Sequence, residues 1–262
     1  MFPGLLSFMN TVFRIKIAGS FLAFCLVAFV TLAQVPGSGG PAGMSAAITK
    51  LFGDIKSFTA KADVQVLDSS QKEIATVPMD FSLLDKSIRV EMDLTQTKNR
   101  NMPPGIADSL KKVGMAHVIS IISPAKKSAY VLYPDQKLLL QMSLPKAEAD
   151  AVDKPPKIEK TAEGKETIDG HPCTKYKVVI TDEKGEKLDA FTWNASDLND
   201  FPIQIQTKEK EDTSFIRFSQ VKFTSLDPAL FEPPADYAQY NNPQDLMQAA
   251  MKKALPAAEK KE

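Results

Sequence analysis

The sequence predicts a mainly β fold of the α+β class: one antiparallel sheet, curved around helices that cover one face. Three observations predict it. Apolar and polar residues alternate through one run after another, turn residues separate those runs at short intervals, and a few segments switch to helical spacing. An antiparallel sheet with one apolar face needs a cover, and these helical segments supply it.

The first cover is Ser45–Lys56, where Ile48, Leu51, Phe52 and Ile55 form a narrow apolar stripe at helical spacing. The period then changes to two. In Phe58–Val66, the residues Phe58, Ala60, Ala62, Val64 and Val66 face one way, against Thr59, Lys61, Asp63 and Gln65. Thr76–Leu84 repeats the pattern with Val77, Met79, Phe81 and Leu83, and Ser87–Leu94 with Ile88, Val90, Met92 and Leu94. These read as half-buried antiparallel strands. Pro103 and Pro104 interrupt them, and Ile106, Ala107, Leu110 and Val113 fit a short helix. Strands resume in His117–Ser123, Ser128–Pro134 and Lys137–Leu144, with turns at Pro124–Lys127 and Pro134–Lys137. Pro145–Lys160 is charged, carries Pro155 and Pro156, and reads as a connector within one sheet. Strands continue in Lys175–Thr181, Leu188–Asn194, Pro202–Lys210 and Ser214–Leu226, with Gly185 available for a positive-φ hairpin turn. Near the end, Leu246, Met247, Ala250 and Met251 mark a short amphipathic helix, followed by a charged tail expected to be disordered.

The opening residues are not expected to join the fold. Arg14 and Lys16 precede an apolar run, Ile17–Val30, that ends near the small residue Ala33. This pattern reads as a secretory signal cleaved after Ala33. An uncleaved N-terminal membrane anchor is the alternative. Phe24 before Cys25 argues against lipid attachment there, so the mature chain keeps a single cysteine, Cys173, and no internal disulfide. The whole chain has a formal net charge of 0, and losing Arg14 and Lys16 leaves the mature protein two charges negative. That balance argues against nucleic acid and against an anionic membrane surface as partners.

The stretch Glu166–Ile180, "ETIDGHPCTKYKVVI", places His171 two residues before Cys173. It reads as a turn into a strand, with Tyr176, Val178 and Ile180 on the buried face and Cys173 beside Lys175 and Lys177 on the more polar one. A reactive thiol is the rival reading, but a catalytic thiol wants a positioned base and an orienting group. His117, the second histidine, lies on another strand. Two histidines and one thiol, without close spacing, do not make a zinc site, and no cofactor is expected. No phosphate loop or nucleophile elbow appears either. Asn194-Ala195-Ser196 is a glycosylation sequon where the host uses such sites. Trp193 reads as a core or rim aromatic, and Tyr130, Tyr133 and Tyr176 as rim residues.

Several stretches together resemble a known group: an amphipathic helix followed by "SFTAKADVQV", then "SPAKKSAYVLYPDQKLLLQ", "ETIDGHPCTKYKV" and "SLDPALFEPPADY". They are similar to the bacterial periplasmic LolA-like half-barrel superfamily, which includes the lipoprotein carrier, and closest to an uncharacterised branch of it. The resemblance implies a curved antiparallel half-barrel sheet with helices covering the concave face. It implies a division into a signal peptide (1–33), a flexible linker (34–44), the half-barrel domain (45–240) and a short helix with a charged tail (241–262). It also implies an apolar trough for a lipid or acyl chain. The lid candidates are Ile48, Leu51, Phe52, Ile55, Ile106 and Leu110. The trough candidates are Val64, Val66, Met79, Phe81, Val90, Met92 and Leu140. The expectation is a secreted, periplasmic monomer, not an enzyme, that binds an amphiphile. The alternative is an envelope protein-interaction or sensor module with a filled core.

Overall fold

The structure is a computed structural model that describes residues 49–146, 149–150, 156–181, 185, 187–209 and 212–254. The signal segment, Ala33, the linker, Ile48 and the charged tail beyond 254 lie outside the described residues.

Residues 49–51 are helical, and a turn at 52–54 ends that segment before the sheet begins. The strands are β1 (Ser57–Leu67), β2 (Glu73–Leu84), β3 (Ser87–Asp93), β4 (Lys98–Asn99), β5 (His117–Ser123), β6 (Ser128–Tyr133) and β7 (Leu138–Ser143), then β8 (Lys157–Ile168), β9 (His171–Thr181), β10 (Lys187–Ala195), β11 (Phe201–Glu209), β12 (Asp212–Lys222) and β13 (Ala238–Tyr240). Helix α1 spans Ile106–Lys112 and α2 Pro243–Ala254. The strands form one curved, unclosed sheet in the order β13-β7-β6-β5-β3-β2-β1-β12-β11-β10-β9-β8, with β4 paired to β2. All pairings are antiparallel except that of β13 with β7. This is the half-barrel that the alternating pattern and the resemblance predict. The two predicted turns after β5 and β6 are single 3-10 turns, each closed by a lysine (Lys127, Lys137) in the left-handed region. Gly185 takes φ +82° in the β9–β10 hairpin, as its position predicts.

The inner face carries two buried clusters. One gathers Phe52, Phe58, Phe81, Phe201 and Phe218, with neighbouring ring centroids 4.8–6.5 Å apart. Phe52, from the turn that precedes β1, packs against the other four rings. The second cluster lies over β5, β6 and β7, where Leu110 of α1 and Leu246, Met247 and Ala250 of α2 meet Val118, Val131 and Leu140. The outer face of the same strands is covered too. Ile119, Ile121, Tyr130, Leu132 and Leu139 pack under Phe231, Leu226 and Tyr237.

The segment after β12 therefore clasps one margin of the sheet. It crosses the outer face, where Lys126 pairs with Glu232, and Lys137 with Asp236 at 2.7 Å. It adds β13 along β7 and then turns α2 onto the inner face.

Four expectations change. The supposed connector Pro145–Lys160 overlaps β8, a charged strand exposed along nearly its whole length, so it lacks the alternating apolar signal. Strand β12 ends at Lys222 and does not run on to Leu226. Tyr130 and Tyr133 are buried rather than at a rim, because the covers on both faces of β6 enclose them, and burial pushes the Tyr133 phenol up to about 12. Met251 is 46% exposed, outside the buried stripe of α2.

Candidate functional site: the inner-face band

Along β1, and along β2 as far as Val77, burial on the inner face thins with distance from the phenylalanine cluster. Along β1, Phe58, Ala60 and Ala62 are buried, whereas Val64 and Val66 are half-buried. Along β2, Leu83 and Phe81 are buried, whereas Met79 and Val77 are half-buried. Val90 and Met92 of β3 and Ile216 of β12 are half-buried as well. Strand register places these side by side. One lateral row runs Tyr176–Thr192–Ile205–Ile216–Val64–Val77. The next row, farther from the phenylalanines, runs Lys160–Val178–Ala190–Thr207–Ser214–Val66. In these rows Thr192, Ile205, Val178, Ala190 and Ser214 are buried, so the half-covered apolar band is the part from Ile216 across Val64, Val66 and Val77 to Met79, Val90 and Met92.

The predicted residues distribute unevenly over this geometry. Val64, Val66, Met79, Val90 and Met92 lie in or beside the band, half-buried. Phe81 and Leu140 are buried in the two clusters instead. Leu51 and Phe52 fill the phenylalanine end, and Ile55 packs half-buried against it. Leu110 is buried under α1, while Ile106, one turn earlier, is half-buried. Ile48 lies outside the described residues. Alternation alone missed Ile216, because its place in the band depends on β1 pairing with β12, a contact between distant parts of the chain.

Thr192 is fully buried, and its hydroxyl lacks a hydrogen-bond partner. Lys160 leans over Tyr176, its nitrogen 5.8 Å from the ring centroid. Partial burial lowers the pKa of its ammonium, and Asp200 pulls the other way.

Cys173 is not on a polar face. It is 3% exposed and packs in the cluster that holds Trp193, Ala195 and Phe201. Register shifts flank the β9–β10 pair, one near Glu163 in β8 and one between Trp193 and Asn194 against β11, so simple alternation fails there. Burial raises the thiol pKa; a backbone hydrogen bond at Ile168 opposes this, and the charges of Asp197, Glu166 and Asp169 add to it. The nearby histidine faces elsewhere, with His171 Nδ1 2.8 Å from Asp197 Oδ2. The thiol is expected to be inert in the folded protein. Iodoacetamide should modify it at least about tenfold more slowly in native buffer than in denaturant, and equal rates would mean that Cys173 is accessible.

Trp193 is buried, with Nε1 donating to Glu166 Oε2 at 2.9 Å and Lys175 over its ring. Asn194 is buried, and its Nδ2 donates to the Asp200 carbonyl at 2.8 Å, so the sequon is closed to a glycosylating enzyme in the folded state. Among the described residues, no group of three histidine, cysteine or carboxylate side chains is arranged to hold a metal. Among them, too, no helix is long and apolar enough to cross a membrane.

Comparison with family models matches residues 66–201, just over half of the chain, to the family described as "Domain of unknown function (DUF4412)". The chain belongs to the DUF4412 family. The match begins at the end of β1 and stops at the start of β11, so this DUF4412 protein completes its sheet with strands on both sides of the matched segment. No curated protein matches it. Among solved structures it is similar to the lipoprotein LppX of Mycobacterium tuberculosis, with a TM-score of 0.41 and 12% identity over 70% of this chain and 96% of that one. It is similar to LprF of Mycobacterium bovis, with a TM-score of 0.37 and 13% identity over 77% and 100% of the two chains. It is also similar to the LolA superfamily protein NE2245 of Nitrosomonas europaea, with a TM-score of 0.36 and 10% identity over 70% and 93%.

Proposed function

We propose that this protein binds an amphiphile through the inner-face band, holding a lipid or acyl chain, and that it does so as a secreted, periplasmic, non-enzymatic protein. The half-covered band carries the reading. Valine, isoleucine and methionine side chains stand half-buried in register there, between clusters that are already filled. Covering such a surface with an acyl chain yields about 0.8 kcal/mol per buried methylene. The flexible thioethers of Met79 and Met92 suit a chain without fixed shape. The buried, unactivated Cys173 supports binding over catalysis.

The test is native mass spectrometry of the mature protein, alone and with palmitate, together with displacement of a fluorescent fatty acid. One acyl chain per protein is expected. Val64→Asp or Met79→Asp, each placing a carboxylate in the band, should weaken uptake at least about tenfold, or 1.4 kcal/mol, without loss of the folded state. A protein that takes up neither acids nor neutral lipids would overturn the reading. The filled clusters would then favour the second one, a module that binds an envelope protein by its surface.

A further inference from the structure

We propose that Ser120 is the polar contact of the band: its hydroxyl donates to the carbonyl oxygen of an acyl group, ester or free acid, whose chain runs from there across half-buried apolar side chains to Ile216. This rests on the binding reading above and adds where the head of the ligand sits and which atom it carries there.

Ser120 stands on the inner face of β5, opposite Val90 of β3 on one side and Val131 of β6 on the other. The lateral row through it starts in the phenylalanine cluster at Phe81 and ends in the second cluster at Val131 and Leu140. Both ends of the row are buried, and only Val90 and Ser120 between them are half-buried. The two clusters thus meet imperfectly over this pair. The inner-face side chains in register around it on β1, β2, β3, β5, β6 and β7 are apolar, save Tyr133, which is buried in the second cluster. Among the described residues the Ser120 hydroxyl has no hydrogen-bond partner, and it is not sealed from solvent. A chain of methylenes laid over it would strip its water and leave the O–H unpaired, a loss that offsets part of the apolar gain. A ligand that brings an acceptor to this point avoids that loss, and the carbonyl oxygen is the acceptor every acyl group carries at the head of its chain.

The surface beyond Ser120 suits the chain. Val90, Met79, Val77, Val64 and Ile216 follow one another across β3, β2, β1 and β12, and each is half-buried. Val64, Val66 and Val77 belong to none of the three buried clusters, nor to the side chains packed against them. From β5 to β12 the path makes four interstrand steps, roughly 19 Å of sheet at about 4.8 Å per step. None of the side chains on this path is charged. The head is therefore held by a hydrogen bond rather than an ion pair, which admits an ester as well as a free acid.

A serine in a strand can also serve packing alone, and the experiment separates the two roles. Affinities for laurate, methyl laurate and tetradecane are measured on the wild type, Ser120→Ala and Ser120→Thr by displacement of a fluorescent fatty acid, and a urea midpoint is recorded for each variant. The affinity of a carbonyl ligand relative to the alkane is expected to fall about fivefold or more in Ser120→Ala, the worth of one hydrogen bond, and to hold in Ser120→Thr. Ser120→Ala should unfold at the wild-type midpoint or above it. A fall for laurate alone or methyl laurate alone assigns the carbonyl to a free acid or an ester, and a fall for both admits either. If Ser120→Ala keeps the wild-type ratio, or changes only the midpoint, the contact is refuted while the band survives. If no ligand binds any variant, the binding reading itself falls, and the contact with it.

Discussion

Phe52→Ala is expected to destabilise the protein by about 3–5 kcal/mol, the usual cost of deleting a fully buried aromatic side chain. Phe52 is 2% exposed and meets four other rings: Phe58 at 4.8 Å, Phe201 at 5.4 Å, Phe218 at 5.7 Å and Phe81 at 6.0 Å between centroids. Those partners come from β1, β11, β12 and β2, so a single side chain ties four strands together. The site cannot collapse around the lost ring, because each neighbour is fixed in the sheet by backbone pairing. The loss should appear in urea unfolding as a lower midpoint with an unchanged slope. Phe52→Leu should cost markedly less. A midpoint for Phe52→Ala that matches the wild type would mean that the turn at 52–54 does not hold this end of the sheet.

Ending the chain after Ser225 is expected to abolish cooperative folding. The deletion removes Phe231 from the outer face and Leu246, Met247 and Ala250 from the inner face, and it strips β13 from the margin of β7. Each large buried side chain is worth about 1.5–3 kcal/mol, and whole proteins of this kind are stable by only about 5–15 kcal/mol. The uncovered margin would also present unpaired backbone groups beside Leu138, Leu139 and Leu140, an invitation to aggregate. Circular dichroism and size-exclusion chromatography would check this. A truncated chain that stays monomeric and unfolds at the wild-type midpoint would show that the clasp is dispensable. A cut after Ala254 removes only residues outside the described structure and serves as the control.

What the sequence reveals follows the strength of its periodic signal. Strands β1, β2 and β3 were legible because their apolar residues recur every second position, and the turns after β5 and β6 because proline opens each of them. Strand β8 was not, since a strand paired on one side and exposed on both faces needs no apolar alternation. The burial of Cys173 was illegible for a related reason: alternation cannot foresee a bulge on a neighbouring strand. Within the band, Val64, Val66 and Met79 could be picked from their own strands. Ile216 could not, because only the full strand order sets β12 beside β1.

That strand order also sets a timetable. Most neighbours in the sheet are neighbours in the chain, so β5, β6 and β7 and likewise β8 to β12 can zip as local hairpins. The join between β1 and β12 is different: Val64 meets Ile216, more than half the chain away. Contacts of such separation form slowly, since a long loop must close before they give anything back. The inner face therefore remains two incomplete halves until residue 222 is available. A chain emerging from its amino end stays open, and dependent on whatever shields its apolar strands, until nearly all of it has arrived.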